Sequence, residues 1–285
     1  MKTGSLFVVS TPIGNLEDIS LRALRIFREA AHIVCEDTRR TGNLLRHYGI
    51  ETPMMPFHRF NEHRILKRLI DRLQAGEDLA LVSDGGSPLI SDPGYSLVRE
   101  AVARSIPVVP VPGASALIAG LMAAGLPCDR VLFVGFLPHR SADRRKLLLA
   151  LQDKKETLVF FDSPRRAASS LAEMAPILGD RNATLCREMT KLHEEFLRGT
   201  LVSLAQASKD RDFRGEITLI VEGARGNETR QGSASDLRRA VEERVAEGAS
   251  RRDAIRDIAR RRGLSRRAIY RLSHPKKETA DTEEE

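Results

Sequence analysis

Several things this sequence has little of narrow the reading before any motif is sought. Cysteine is scarce: Cys35, Cys128 and Cys186 stand far apart and form no ligand pair. That excludes a disulfide framework and is the usage expected of reduced core thiols in a cytoplasmic protein. Long unbroken apolar runs are missing. Met1-Lys2-Thr3-Gly4 leads into only four apolar residues, too few for the apolar region of a signal peptide. The stretch from Val108 to Leu126 is interrupted by Pro110, Pro112 and Gly113 and lacks the flanks of a membrane span. It reads as a buried strand, loop and helix, and no membrane association is expected. Neither G-x-G-x-x-G nor a Walker P-loop occurs, so a nicotinamide cofactor or ATP is poorly supported. His58, His63 and His193 show no ligand spacing, and no metal is expected.

What is there is a core-forming chain of 285 residues, 41% apolar and 30% charged, long enough for two domains. Strand-like runs lie at Leu6–Ser10, His32–Cys35, Leu79–Val82, Pro107–Val111, Val131–Phe136, Thr157–Phe161, Ala183–Arg187 and Ile217–Val221. Helical patterns separate most of them, for example Ser20–Ala30, Arg59–Ala75, Gly94–Ala103 and Ala114–Ala124. The alternation predicts an α/β protein with mostly parallel sheets. The loop "AAGLPCDR", 123–130, is the expected hinge between an N-terminal α/β domain over 1–124 and a central α/β domain over 125–225. "GARGNETRQGSAS", 223–235, reads as a flexible linker.

Charge is unevenly placed. Residues 236–277 carry 14 Lys/Arg against 6 Asp/Glu, whereas 278–285 form an acidic tail expected to be disordered. In the basic segment Ser250 is an expected N-cap, with Ala254, Ile255, Ile258 and Ala259 at helical spacing. Gly263 stops that helix and Ser265 caps another, giving a helix-turn-helix-like extension. Arg260, Arg261, Arg262, Arg266 and Arg267 flank the turn and are the expected phosphate contacts of a nucleic-acid partner.

In open α/β sheets ligands bind beyond the carboxyl ends of strands. Three predicted strands end in loops of glycine, proline and small hydroxyl residues: Thr11-Pro12-Ile13-Gly14-Asn15, "SDGGSPLISDPG" from Ser83, and Pro112-Gly113-Ala114-Ser115. Each lets main-chain groups approach a ligand closely. One such loop is an ordinary turn; three together point to a site. Within the second loop, Asp84 is available for a ligand or for capping its own turn, and Asp92 with Pro93 reads as a helix start.

These loops sit within a longer ordered series: "STPIGNLEDISLRAL", "CEDTRRTGNLLRHYGI", "SDGGSPLISDPG", "PVPGASALIAGLMAAGLP", "FVGFLP", "FFDSPRR", "CREMTKLHEE", "RGTL" and "GEITLIVEG". The series resembles the ribosomal RNA small subunit methyltransferase I branch of the tetrapyrrole-methylase-like, class III methyltransferases, from about Leu6 to Gly223. The resemblance implies two α/β domains of the tetrapyrrole methylase type with S-adenosyl-L-methionine in the cleft between them, and a homodimer. It implies methylation of the ribose 2′-hydroxyl of a cytidine in the decoding region of 16S rRNA, with the rRNA or the small ribosomal subunit as partner. Around the cofactor it places Ile13, Asp84, Gly86, Ser87, Ile90, Ser115, Ala116, Phe161, Ile217 and Thr218. In the wider family the loop matching Gly86-Ser87-Pro88 reads Gly-Asp-Pro. Ser87 departs from that pattern as the RNA-modifying branch does.

An already activated sulfonium methyl leaves the protein two tasks, positioning the ribose oxygen and dealing with its proton. Charged residues crowd two expected strand ends: Glu36, Asp37 and Arg39 in "CEDTRR", and Arg187, Glu188 and Lys191 in "CREMTK". Asp37, Arg39, Glu188 and Lys191 are the catalytic candidates; the alternative is an ion-pair network joining the domains. Arg165 and Arg166 in "DSPRR" read as phosphate contacts. Two other functions are weighed. A tetrapyrrole-like small-molecule substrate would predict no basic appendage and an Asp at position 87, and a non-catalytic RNA-binding assembly factor would not need the glycine-rich cleft.

Overall fold

The computed structural model describes residues 3–224 and 234–262. The chain forms two compact units, Met1–Gly223 and Ala224–Glu285. The first unit holds two five-stranded sheets.

In the first sheet, β1 (Leu6–Val9), β2 (His32–Cys35), β3 (Met54–Pro56), β4 (Leu79–Leu81) and β5 (Val108–Val111) lie in the order β3-β2-β4-β1-β5, all parallel. Parallel pairing requires crossovers, and α1 (Leu21–Glu29), α2 (Thr38–His47), α3 (Glu62–Gln74) and α4 (Tyr95–Ala103) supply them. Alternation along the strands divides the core in two. Val9, Ile33, Cys35 and Ala80 face one layer with Ala23, Ile26 and Phe27 of α1. Leu6, Val34, Leu79 and Leu81 face the other with Leu69, Ile70 and Leu73 of α3 and Leu97 of α4. Ser20 starts α1 by accepting the Ala23 N–H at 3.1 Å, and the i, i+3, i+4 spacing of its apolar residues turns them inward. Burial of a side chain the size of Phe27 stabilises by about 1.5–3 kcal/mol.

The second sheet corrects the expectation of parallel strands. β6 (Val131–Phe136) and β7 (Thr157–Asp162) are parallel, but β10 (Ile217–Val221) runs antiparallel between β7 and β8 (Asn182–Arg187), and β9 (Glu195–Thr200) pairs antiparallel with β8. The residues between β8 and β9 are too few for a crossover, so the chain must fold straight back. β10 is buried at every position, which suits its place in the middle of the sheet. The helices of this half are α5 (Ala116–Ala124), α6 (Ser141–Leu151), α7 (Pro164–Leu178) and α8 (Leu201–Ser208).

The crossing between the sheets lies earlier in the chain than the 123–130 loop. α5 already packs on β8, β9 and β10, with Gly120 so close to Ile220 that an added Cβ would stand 3.0 Å from Cδ1. The 123–130 loop is fastened to the same sheet, the Ala123 carbonyl accepting from Arg198 at 2.6 Å and the Ala124 carbonyl from the Thr184 hydroxyl at 3.0 Å. The segment that passes from one sheet to the other is therefore 112–115. Cys35 and Cys186 are core residues; Cys128, expected with them, is exposed.

The second unit contains α9 (Ala234–Ala246) and α10 (Arg251–Arg262) around a small core of Val241, Ala254, Ile255, Ile258 and Ala259. Ser250 caps α10 through the Asp253 N–H at 3.1 Å, as its position in the sequence predicts. Arg244 of α9 reaches Asp257 of α10 at 2.9 Å. Arg260–Arg262 close α10. The central part of the linker, the helix expected from Ser265 with Arg266 and Arg267, and the acidic end lie outside the described residues. Among the described residues no helix is long and apolar enough to cross a membrane.

Candidate active site

The carboxyl ends of β1, β4 and β5 are laced together. Thr11 and Gly86 exchange two main-chain hydrogen bonds of 2.9 Å, so the loop after β4 lies against the loop after β1. The Ser87 hydroxyl meets that of Ser10 at 2.9 Å and the Ala114 carbonyl at 3.4 Å, which brings in the loop after β5. Ser87 thus ties three loops as well as standing beside the space they enclose. Gly86 needs its lack of a side chain: its φ is +86°, and a Cβ would stand 3.3 Å from Ile13 Cγ2.

These loops face the ends of β6, β7 and β10 across a cavity of about 730 Å³, within the usual range for a small-molecule site. Ile13, Asp84, Gly86, Ser87, Ile90, Ser115, Ala116, Phe161, Ile217 and Thr218, ten positions scattered over some two hundred residues of chain, all line it. Apolar walls come from Ile13, Ile90, Phe136 and Phe161, and the last two rings meet edge to face at 5.5 Å. Glu36, Asp84 and Asp92 make one side acidic.

Asp92 departs from its expected role. α4 begins three residues later, with Gly94 at φ +125° in the cap position and no side-chain cap. Asp92 instead turns toward the cavity, where burial, together with the nearby Glu36 carboxylate, pushes its pKa up to about 6. Glu36 is also raised, by burial and by Asp84. Asp84 does not cap its own turn. It accepts the Asp37 N–H at 3.0 Å and stands 3.6 Å from Arg40, joining β4 to the start of α2.

The opposite rim carries Lys191. Its ammonium is 2.8 Å from Glu188 and 3.2 Å from Glu216. Burial, the largest single influence, pulls its pKa down, but the two carboxylates outweigh it and hold the pKa above the ordinary lysine value. Glu188, opposed only by its burial, is kept below the usual range by Lys191 and by the Glu216 N–H at 3.0 Å. Two glycines make room. A Cβ on Gly215 would fall 2.1 Å from Glu188 Oε1, and one on Gly14 would fall 2.3 Å from Lys191 Cγ.

Backbone strain gathers at the same place. Of five non-glycine residues with positive φ among the described residues, Leu89 and Ser91 lie in the loop after β4, and Glu188 and Thr190 in the loop that presents Lys191. Such conformations cost of order 1–3 kcal/mol each and persist where surrounding contacts over-determine them.

The other expected site residues divide. Lys191 lines the cavity and Glu188 stands behind it, whereas Asp37 and Arg39 do not line it. Asp37 caps α2 through the Arg39 N–H at 2.8 Å and pairs with the Arg39 guanidinium, which holds its pKa down near about 2. Their neighbours Glu36 and Arg40 take the wall, because the helical turn that starts at Thr38 directs Arg40, not Arg39, inward. No ion pair between described residues joins the "CEDTRR" and "CREMTK" clusters. Arg166 is committed to the buried Asp162 at 2.7 Å, to the Ser163 hydroxyl and to the Leu137 carbonyl, a structural role rather than a free phosphate contact. Arg165 is exposed. Arg40, Phe136 and Glu216 line the cavity without having been singled out; no local spacing marks them, since each comes from a different element. Among the described residues no group of three His, Cys, Asp or Glu side chains is placed to hold a metal ion.

Similarity to known proteins extends along most of the chain. Residues 5–205 match the model of the family described as Tetrapyrrole (Corrin/Porphyrin) Methylases. The chain is 44% identical over 275 residues to the ribosomal RNA small subunit methyltransferase I of Halalkalibacterium halodurans, covering 95% of each chain. It is 48% identical over 250 residues to that of Pseudomonas aeruginosa, covering 87% of this chain and 89% of the relative. Among solved structures, a diphthine synthase superposes with a TM-score of 0.62 at 19% identity, over 77% of this chain and 90% of that one. A uroporphyrin-III-C-methyltransferase from Thermus thermophilus gives 0.55 at 20% identity, over 77% and 94%. At those identities the likeness speaks for the fold.

Proposed function

The chain belongs to the tetrapyrrole methylase family, in its ribosomal RNA small subunit methyltransferase I branch, and on that premise we propose that it methylates the ribose 2′-hydroxyl of cytidine 1402 in 16S ribosomal RNA. S-adenosyl-L-methionine, when bound, supplies a methyl group already activated by the sulfonium. The cavity suits such a ligand. Apolar walls at Ile13, Ile90 and Phe161 match its hydrocarbon and ring surfaces, the glycine loop exposes main chain, and Glu36, Asp84 and Asp92 offer carboxylates to its cationic groups.

What carries the reading is that ten positions implied by the resemblance and Lys191 line one cavity. Lys191 is held positive by Glu188 and Glu216. An ammonium so held does not serve as the base. It stabilises the negative charge that grows on the ribose oxygen as its proton leaves, the task of a pre-oriented cation. Glu188 fixes its position, and the loop strain and the two glycines keep both in place. The working form is a homodimer in the cytoplasm, for which Ile118 and Met122, exposed together on α5, supply an apolar surface. α10 brings its arginines to the RNA, and the electrostatic term of such contacts is independent of sequence.

The test uses small subunits from cells lacking this protein, methyl-labelled S-adenosylmethionine and the purified chain. Label should enter one cytidine, at its ribose. Label on a base, or at another nucleotide, would overturn the assignment.

A further inference from the structure

Phe60 is 98% exposed, yet the turn that carries it is tightly built. Phe57, at its start, is buried. Asn61, 7% exposed, accepts the His58 N–H at 2.9 Å and donates its amide to the Pro56 carbonyl at 2.9 Å. The Asn61 and Glu62 N–H groups both close on the His58 carbonyl, at 2.9 and 3.0 Å. The His58 ring meets the Phe60 ring edge to face at 6.0 Å. A buried asparagine making these bonds holds an aromatic ring out in water on a rigid mount. Packing within the chain gives no reason for that arrangement.

Its place in the fold supplies one. The turn follows β3, whose end is bonded to β2 through Phe57 N–H to the Cys35 carbonyl at 2.7 Å. β2 runs directly into Glu36 on the cavity wall. The charge of Arg59 acts on both Glu36 and Asp92, so the turn stands beside the acidic side of the cavity. Its surroundings are polar and basic. Arg59, His63 and Arg64 are exposed, and neither arginine forms an ion pair among the described residues. A protein-binding surface would extend the apolar patch beyond one ring. One aromatic face among unpaired arginines matches an unpaired nucleotide, with its flat base and its phosphate.

We propose that Phe60 is a stacking platform for an unpaired base of the RNA substrate at the cavity mouth, with Arg59 contacting an adjacent phosphate. A ribose hydroxyl inside the cavity requires its nucleotide to leave the stack of its neighbours, and the ring replaces a stacking surface lost in doing so. The inference rests on the RNA-methyltransferase reading and adds a substrate contact to it.

The full-length chain is tested with small subunits from cells lacking it. Phe60→Ala should raise KM for the subunit about 5- to 150-fold, the range for removing one base–aromatic stack. The values of kcat and the affinity for S-adenosylmethionine should not change. Phe60→Leu, apolar but without a π face, should behave like Phe60→Ala, and Phe60→Trp should restore the wild-type KM. The sequence contains no tryptophan, so Phe60→Trp also installs a sole fluorophore, which a single-stranded RNA oligonucleotide should quench. An unchanged KM for Phe60→Ala beside an active wild type would overturn the stacking role and leave the methyltransferase reading intact. A changed oligomer mass with unchanged KM would assign the ring to a protein contact instead. A wild-type chain that transfers no methyl group to the subunit would overturn the underlying reading, and the inference with it.

Discussion

Lys191→Met separates a catalytic cation from a structural ion pair. The pair contributes little to stability. Glu216 is largely exposed, so its arm is worth a fraction of 1 kcal/mol, and the Glu188 arm, partly shielded, about 1 kcal/mol. Glu188 would still hold the Glu216 N–H, so it is not left without a partner. A melting temperature lower by about 2–4 °C is the expected structural cost. The catalytic cost is far larger. A positive charge about 4 Å from a developing oxyanion, at an effective dielectric near 20, is worth about 4 kcal/mol. That corresponds to roughly three powers of ten in rate, and loss of one such group typically lowers kcat about 10²- to 10³-fold. The assay is the initial rate of methyl transfer to undermethylated small subunits at saturating cofactor, alongside calorimetry and a melting curve. A variant with kcat within about threefold of wild type would refute the role of the cation. So would an activity loss that merely follows lost cofactor binding or collapse of the fold.

Three further outcomes follow from the geometry. Gly86→Leu, which forces a side chain onto a backbone at φ +86° beside Ile13, should abolish the one-site calorimetric isotherm for S-adenosylmethionine measured in chelator; undiminished binding would show that the loop is not part of the cofactor site. Asp92, with a folded pKa of about 6 against an ordinary 3.8, penalises folding only when ionised: the penalty is absent below about pH 4, grows through pH 6 and is complete above it. The full shift corresponds to about 3 kcal/mol, reduced to roughly 1 by water reaching this half-buried group, so Asp92→Asn should melt a few degrees higher than wild type at pH 8 and equally at pH 4; a difference independent of pH would refute the cause given. Removal of residues 224–285 should leave cofactor binding intact, because both sheets lie before that point, while subunit affinity falls and its salt dependence flattens by about 0.7–0.9 in log–log slope per lost phosphate contact; titrations at several salt concentrations giving equal slopes would leave the extension without an RNA role.

The legible and illegible parts of the fold differ in burial. Every strand anticipated from an apolar run is present, and His32–Cys35, Val131–Phe136 and Ile217–Val221 have the anticipated bounds. The two strands not anticipated, β3 and β9, each lie at one edge of their sheet. β3 is three residues long and ends in Pro56; β9 carries Glu195, Arg198 and Gly199 and is nowhere fully buried. An edge position tolerates such short or polar strands, although the edge strands β5 and β6 keep apolar runs, so β3 and β9 lack the continuous apolar signal by which the others are read. Asp92 shows the same limit at the site. Asp-Pro-Gly is a sound local signal for a helix start, but Gly94 takes the cap and burial beside Glu36 gives Asp92 another role.

The sequence by itself determined the α/β alternation, the glycine-rich strand ends, the cap of α10 and the basic C-terminal segment. Each is written in residues near one another in the chain, where spacing, caps and backbone freedom act directly. Resemblance added the list of positions around the cofactor. Tertiary structure alone decided which charged residues meet. It turned Glu36 and Arg40, not Asp37 and Arg39, to the cavity, joined Lys191 to Glu216 across 25 positions of sequence, and committed Arg166 to a buried aspartate. It also ran β10 antiparallel through the centre of the second sheet. The physical reason is common to all of these: an ion pair or a strand pairing depends on distances set by packing between remote segments, and no local pattern encodes a distance to a partner far away in the chain.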